Sequence, residues 1–327
     1  MRRVLFPLLM ATLWISLIVI GVETYVRVFI DDGMQYDLEM WKYAKEVKQV
    51  DPDPLIGHRH APNRSAKLMG VSVETNSQGL RDREFTFEKP AGTLRVMMLG
   101  DSFTEGWGVE ERGIFSKRIE RLYADQGTNA EVINTGVGNW NSVQEVEFFL
   151  TDGYRYHPDI VVLNFVINDA EPVQHDRPPS FLLRHCYSCV FLVGRYDALR
   201  RMIFGGKDWE DYYLGLFGDG SAPGWIAAKA AIKRLADYCD KNHIKLLIAN
   251  HPELHDVKNY RLQKITDFIR DAAAEDKVPF VDLLPYLRDH DSASLWVTPP
   301  DPHPNALAHK LLADGIFAAL QKLDQPQ

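Results

Sequence analysis

Ser102, Asp301 and His303 are the residues of this chain whose types and spacing best suit covalent chemistry. The apolar run Val96-Met97-Met98-Leu99 ends abruptly in Gly100-Asp101-Ser102, and a helix-forming segment follows after Gly106. The run reads as a buried strand. Ser102 then stands at its carboxyl end, the edge on which open α/β sheets hold ligands. A serine hydroxyl needs a base to become nucleophilic. Asp301-Pro302-His303-Pro304-Asn305 offers an imidazole for that task and a carboxylate two residues away to hold its tautomer. Acyl transfer also needs donors for the developing oxyanion. Ser102 can give its own N–H. The Gly138-Asn139 backbone can approach closely because glycine has no side chain. Asn168 can give a side-chain amide. Asp101 reads as structural, tying these loops together. Trp107 and Trp140 flank the first two loops, as platforms for sugar rings or as core residues. His251 follows a predicted strand, and either lines the pocket or is a satisfied structural histidine.

The elements that must position these residues alternate. Predicted strands cover Leu94–Leu99, Glu131–Val137, Asp159–Ile167, Lys245–Ala249 and Pro279–Leu283. Predicted helices cover Ile114–Asp125, Val143–Tyr154, Trp225–Lys241, Tyr260–Ala274 and Asn305–Leu323. This alternation argues for an α/β fold with a parallel sheet covered on both faces. Ser102, the Asn134–Asn139 run and Asn168-Asp169 each follow a strand, so all three fall on one sheet edge. Residues 170–224 interrupt the pattern. They are rich in aromatics, including Phe181, Phe191, Tyr196, Trp209, Tyr212, Tyr213 and Phe217, and carry a glycine-flanked tip from Gly215 to Gly224. They read as an inserted lid over the pocket. Residues 24–92 read as a leader: helical over Asp31–Gln49, broken at Asp51-Pro-Asp-Pro54, and extended or irregular from Leu55 to Glu88.

Four blocks in this order resemble the SGNH (GDSL-type) hydrolase superfamily. Gly100-Asp-Ser-Phe103 matches the first, and the stretch from Gly136 to Asn141 is similar to the second. Asn168-Asp169 resembles the third, and Asp301-Pro-His-Pro-Asn305 the last. The similarity covers about residues 94–323. Asn76-Ser-Gln-Gly-Leu-Arg81, just ahead of the first block, is similar to membrane-anchored bacterial members linked to acetylation of envelope polysaccharides. The resemblance implies a three-layer, flavodoxin-like sandwich with about five parallel strands. It makes Ser102 the nucleophile and His303 the base, and assigns the oxyanion hole to Ser102, Asn168 and a second-block N–H at Gly138 or Asn139. The sequence departs from the pattern in places. Asn139 stands where many members have glycine, Val166 replaces a glycine of the third block, and the last block is Asp-x-His rather than Asp-x-x-His. The expected reaction is serine-dependent ester hydrolysis or O-acyl transfer on acetyl esters of envelope or exported polysaccharide, or on a small ester. In the transfer case a membrane-bound acyl-transfer partner would supply the acyl group. A lipid-directed esterase and a non-catalytic carbohydrate-binding assembly subunit are the alternatives.

Composition bounds the setting. The chain has 327 residues, 46% hydrophobic and 25% charged, with a formal net charge of −8 and no basic stripe, so nucleic acid is not an expected partner. Arg2 and Arg3 precede an uncharged run from Val4 to Val22. The run nearly matches the ~20 residues of a membrane-spanning helix. Residues 1–23 therefore read as a signal anchor in the cytoplasmic membrane, with residues 93–327 forming a catalytic domain on the extracytoplasmic side. The alternative is a cleaved signal peptide ending near Val19-Ile20-Gly21, where no Ala-x-Ala site is present. Cys186 and Cys189 read as buried thiols, or as a local disulfide in an oxidising compartment. No metal set and no phosphate or dinucleotide fingerprint is present, so no metal or cofactor is expected.

Overall fold

In the computed structural model, which describes residues 2–173, 184–204, 208–299 and 301–323, the chain opens with α1 (Arg2–Tyr25) and a π-helical turn at Val26–Ile30. The stretch Leu5–Ile30 is 26 residues long, and its most apolar window is uncovered by the rest of the chain. A helix of that length and composition serves as a membrane span or as a signal sequence.

The leader folds against the catalytic unit. α2 (Tyr36–Glu46) starts at Gln35, whose side chain accepts the N–H groups of Asp37 and Leu38. β1 (Lys48–Val50) pairs antiparallel with β2 (His58–His60), and β3 (Ser65–Leu68) with β4 (Val71–Glu74). Ala66, Leu68 and Val73 turn inward and share a cluster with Tyr43, Val47 and Trp107. These strands have three or four residues each. A two-residue period is hard to read over so short a span, which is why the sequence reads from Leu55 only as extended or irregular chain and assigns Lys48 and Gln49 to the leader helix rather than to β1.

The central sheet comprises β5 (Leu94–Leu99), β6 (Ala130–Asn134), β7 (Ile160–Phe165), β8 (Lys245–Asn250) and β9 (Phe280–Asp282). All pairings are parallel, in the order β6-β5-β7-β8-β9. The helices around it are α3 (Ser102–Glu105), α4 (Phe115–Asp125), α5 (Ser142–Thr151), α6 (Tyr187–Phe204), α7 (Asp208–Phe217), α8 (Pro223–Lys241), α9 (Gln263–Glu275), α10 (Leu284–Leu287) and α11 (Ala306–Leu323). Met97, Leu99, Val161, Leu163 and Phe165 pack toward α5, α8 and α9. Val96, Met98, Ile160 and Val162 pack toward α4 and α11. Alternate residues thus enter two cores, which is why Val96–Leu99 of β5 and Ile160–Leu163 of β7 are unbroken apolar runs. After β5 the chain goes to β6 on one side, then crosses to β7 on the other. That reversal opens a crevice between the loops after β5 and β7. β10 (Trp296–Thr298) and β11 (Asp301–Pro304) form a separate antiparallel hairpin beside it.

The expected lid is not one piece. α6 packs on α2 and on the end of α1. α7 leads into α8, and Phe217 is fully buried, its ring centroid 5.2 Å from that of Trp225 and 6.5 Å from that of Phe165. The glycine-flanked tip is therefore the turn that seats an aromatic core residue, not a flap over the pocket. Phe181 lies outside the described residues. Cys186 and Cys189 form a disulfide rather than a pair of buried thiols. Their Cα atoms, 5.2 Å apart at the start of α6, are within bridging range.

Candidate active site

Asp101, not Ser102, caps α3. Its carboxylate accepts the N–H of Phe103 at 2.9 Å and the side-chain amide of Asn168 at 3.0 Å. One side chain thereby caps the helix and ties the loop after β5 to the loop after β7. Ser102 follows as the first helical residue, with its hydroxyl turned toward β11. Ser102 Oγ lies 2.9 Å from His303 Nε2.

Asp301 and His303 are two residues apart on β11, so the pleat puts both side chains on one face. That is how Asp-x-His can do the work of the longer spacing. His303 Nδ1 and Asp301 Oδ1 are 2.5 Å apart. The other oxygen of Asp301 accepts the indole N–H of Trp107 at 2.9 Å. Burial disfavours a charged His303 ring. The hydrogen bond and charge of Asp301, helped by Asp101 and Glu105, outweigh it and raise the pKa above the ordinary imidazole value. Burial would likewise raise Asp301, but the bonds from His303 and Trp107 lower it below the usual carboxylate range. A hydroxyl, an imidazole and a carboxylate in series can deprotonate the serine as it attacks a carbonyl and return the proton to the leaving group.

The sequence leaves Trp107 either to carry a sugar or to pack in the core. It is 1% exposed and holds the free oxygen of Asp301, so it presents no platform. Replacing Trp107 with phenylalanine keeps the packing but leaves a buried carboxylate oxygen without its donor. The expected result is a kcat lowered about tenfold, in line with ~1.5 kcal/mol for a lost hydrogen bond to a charged group, with little change in KM. Steady-state kinetics on a small acetyl ester checks it.

The second block packs on the nucleophile. A Cβ on Gly136 would fall 2.2 Å from the Glu105 backbone nitrogen, so only glycine lets this loop lie against α3. The Gly138 N–H, expected as an oxyanion donor, instead donates to the Tyr43 hydroxyl at 2.9 Å. Its carbonyl accepts the Lys48 ammonium at 2.6 Å. The leader thus occupies the Gly138 N–H, so of the two second-block candidates only Asn139 stays compatible with the expected donor role. Asn139 is exposed and has φ of 66°, a left-handed conformation that asparagine tolerates better than most residues. Asn168 sits in the 3-10 turn Ile167–Ala170, its amide oriented by Asp101.

Two further candidate substrate contacts take the structural alternative that the sequence left open. Trp140 is 2% exposed and its indole donates to the His58 carbonyl at 2.6 Å. His251 is fully buried, with Nε2 3.0 Å from the Asn164 side-chain oxygen. Burial pushes its pKa down to about 3, so the ring is neutral. Each lies near the site in sequence, yet its polar atom finds a partner inside the fold.

Other residues near the site have roles that only the folded structure reveals. Arg81 is buried and donates to the carbonyls of Glu105, Gly106 and Val109 at 3.1, 2.7 and 2.8 Å, fixing the exit of α3. It ends the Asn76–Arg81 run, which is legible only as a resemblance. Behind Asn168, Asp169 accepts the Val166 N–H at 2.6 Å and interacts with Glu145, both carboxyls being buried. Burial raises both well above the carboxylate range, and their mutual charge raises Glu145 further. The folded state therefore binds protons that the unfolded chain releases. The pair's stability is intact below the ordinary carboxylate pKa and is lost as pH rises toward the raised folded values. Glu145→Gln, which keeps a donor and cannot ionise, is expected to flatten that decline. Denaturant unfolding at several pH values would test this, and an unchanged slope would contradict it.

Comparison with known proteins gives one family match and a set of similar solved structures. Residues 98–311 match the family model for the GDSL-like lipase/acylhydrolase family. No curated protein sequence matches the chain. Among solved structures, TesA is similar at 14% identity and a TM-score of 0.48, over 70% of this chain and 99% of that one. A variant of Axe2, an acetylxylan esterase from Geobacillus stearothermophilus, is similar at 14% identity and 0.46, over 69% and 94%. The lipase/acylhydrolase from Enterococcus faecalis is similar at 14% and 0.46, over 72% and 98%. The family match spans more than half of the chain and takes in Ser102, Asn168 and His303. This protein is an ester-hydrolysing enzyme that belongs to the GDSL-like lipase/acylhydrolase (SGNH) family.

Proposed function

We propose that the enzyme works through an acyl-Ser102 intermediate on acetyl esters of envelope or exported polysaccharide, tethered outside the cytoplasmic membrane by α1. The observation that carries the mechanism is the series Ser102 Oγ to His303 at 2.9 Å and His303 to Asp301 at 2.5 Å. His303 Nε2 takes the Ser102 proton as Oγ bonds to the ester carbonyl carbon. The carbonyl oxygen becomes an oxyanion, held by the N–H groups of Ser102 and Asn139 and by the Asn168 amide. The C–O bond to the sugar breaks, and His303 returns its proton to the departing alkoxide. Water, or a second sugar hydroxyl, then gives its proton to His303, attacks the acyl-serine and frees Ser102. Water makes the enzyme an esterase; a hydroxyl makes it an O-acetyltransferase with the same residues.

The tether and side of the membrane are supported by Arg2 and Arg3 ahead of the apolar stretch. The Cys186–Cys189 disulfide suits an oxidising compartment. The polysaccharide reading is supported by the resemblance of Asn76–Arg81 to envelope members. The test is a series of p-nitrophenyl esters of rising acyl length beside acetylated polysaccharide, with Ser102→Ala as control. Acetate is expected to be the best acyl group. A preference for long chains would favour a lipid-directed esterase, and no Ser102-dependent turnover would favour a binding subunit.

A further inference from the structure

We infer that α6 is a second membrane-contacting element, an interfacial helix lying on the bilayer surface and latched to the outer end of α1. The inference rests on reading α1 as a retained anchor. Leu192, Val193, Tyr196 and Leu199 are 55%, 59%, 65% and 49% exposed. Positions 192, 196 and 199 follow the i, i+4, i+7 spacing of one helical stripe, with Val193 at its edge. Scattered exposed apolar residues are ordinary in a folded protein, but a continuous stripe of four marks a contact surface. Arg200 is exposed beside the stripe, a position from which an arginine can lay its stem on an apolar surface and keep its charge at headgroup level. Arg195, also exposed, donates to the Asp37 carboxylate of α2 at 2.7 Å and ties the helix to the protein.

The opposite face of α6 is the one that holds the protein. A Cβ on Gly194 would fall 2.3 Å from the Asp37 carboxylate of α2. The Tyr187 ring packs 4.9 Å from that of Trp41. The stripe is thereby turned outward.

The chain itself indicates the occupant. Glu23, near the end of α1, accepts the N–H of Tyr187 at 3.0 Å and of Ser188 at 2.9 Å, and the Ser188 hydroxyl at 2.7 Å. It satisfies backbone donors at the start of α6 that would otherwise lack partners. Arg27 donates to the His185 carbonyl at 2.5 Å, and its guanidinium carbon lies 4.1 Å from the Tyr187 ring centroid. The first turn of α6 is therefore bonded to the segment where the apolar stretch ends. Tyr25, Val28 and Phe29 are 54%, 62% and 70% exposed at the same level. Aromatic residues favour that depth at the membrane–water boundary. A bilayer crossed by α1 thus meets the stripe of α6 without any further partner, and fixes how the active-site edge stands above the surface.

The test uses the full chain in nanodiscs of phosphatidylcholine and phosphatidylglycerol. Single cysteines carrying nitroxides replace Leu192, Tyr196 or Leu199 on a Cys239→Ala background, with Ile15→Cys as the anchor control and Lys233→Cys as the water control. Each labelled protein is first checked for hydrolysis of a small acetyl ester. The ratio of oxygen to nickel-chelate collision rates is expected to be several-fold higher at 192, 196 and 199 than at 233, and high also at 15. High values at 15 with water-like values on the stripe would overturn the interfacial helix and leave the anchor standing. A stripe shielded from both reagents would mean that a second copy covers it, which also overturns the inference. A water-like or missing residue 15 would instead sink the anchor reading.

Discussion

Ser102→Ala is expected to abolish turnover of a small acetyl ester, by about 10⁴-fold or more, while the protein still folds. The fold should survive because Ser102 does not cap α3. That role belongs to Asp101, whose bonds to Phe103 and Asn168 do not involve the serine hydroxyl. The lost contacts are the 2.9 Å bond to His303 and a 3.5 Å approach to Asp101. His303→Ala should cost about as much, and the double variant little more, because the two act as one unit. A fluorophosphonate should label Ser102 alone. Labelling of the Ser102→Ala protein, or substantial turnover by it, would remove Ser102 from the mechanism.

Asp301→Asn is the second large effect. The asparagine keeps the shape but removes the charge that raises His303 and favours the tautomer with hydrogen on Nδ1. Loss of the carboxylate in serine triads costs about 10⁴-fold in kcat. The sign of the pH effect follows from the cause. His303 works as a base only when neutral, and its pKa in the folded enzyme is raised. The kcat/KM of the native enzyme should therefore climb with pH through a midpoint above the ordinary imidazole value. In Asp301→Asn the residual activity should climb through a lower midpoint, since burial, which disfavours the charged ring, is then less opposed. A pH–rate profile for both proteins checks this. An unmoved midpoint with mild loss of activity would mean that Ser102 and His303 operate as a dyad and that Asp301 chiefly braces β11.

Much of the site is legible in the amino-acid sequence. Leu94–Leu99 reads as a strand and is one. The loops after β5, β6 and β7 do fall on one edge, because apolar runs and turn residues are local signals and a parallel sheet aligns the carboxyl ends of its strands. Ser102 and His303 are 201 residues apart in sequence and 2.9 Å apart in space, as the order of blocks implies. Which way isolated polar and aromatic side chains point is decided only by the tertiary structure. Trp107, Trp140 and His251 all lie where a substrate contact is plausible, and each turns inward to an acceptor supplied by a distant segment. Tyr43 takes the Gly138 N–H from a helix 95 residues earlier, and nothing in either local sequence marks the pair. The residues of the insertion divide between a core helix at Phe217 and an outward stripe on α6 for a similar reason. Apolar content shows that surface must be buried, whereas the neighbour that buries it is chosen only when the chain has closed on itself.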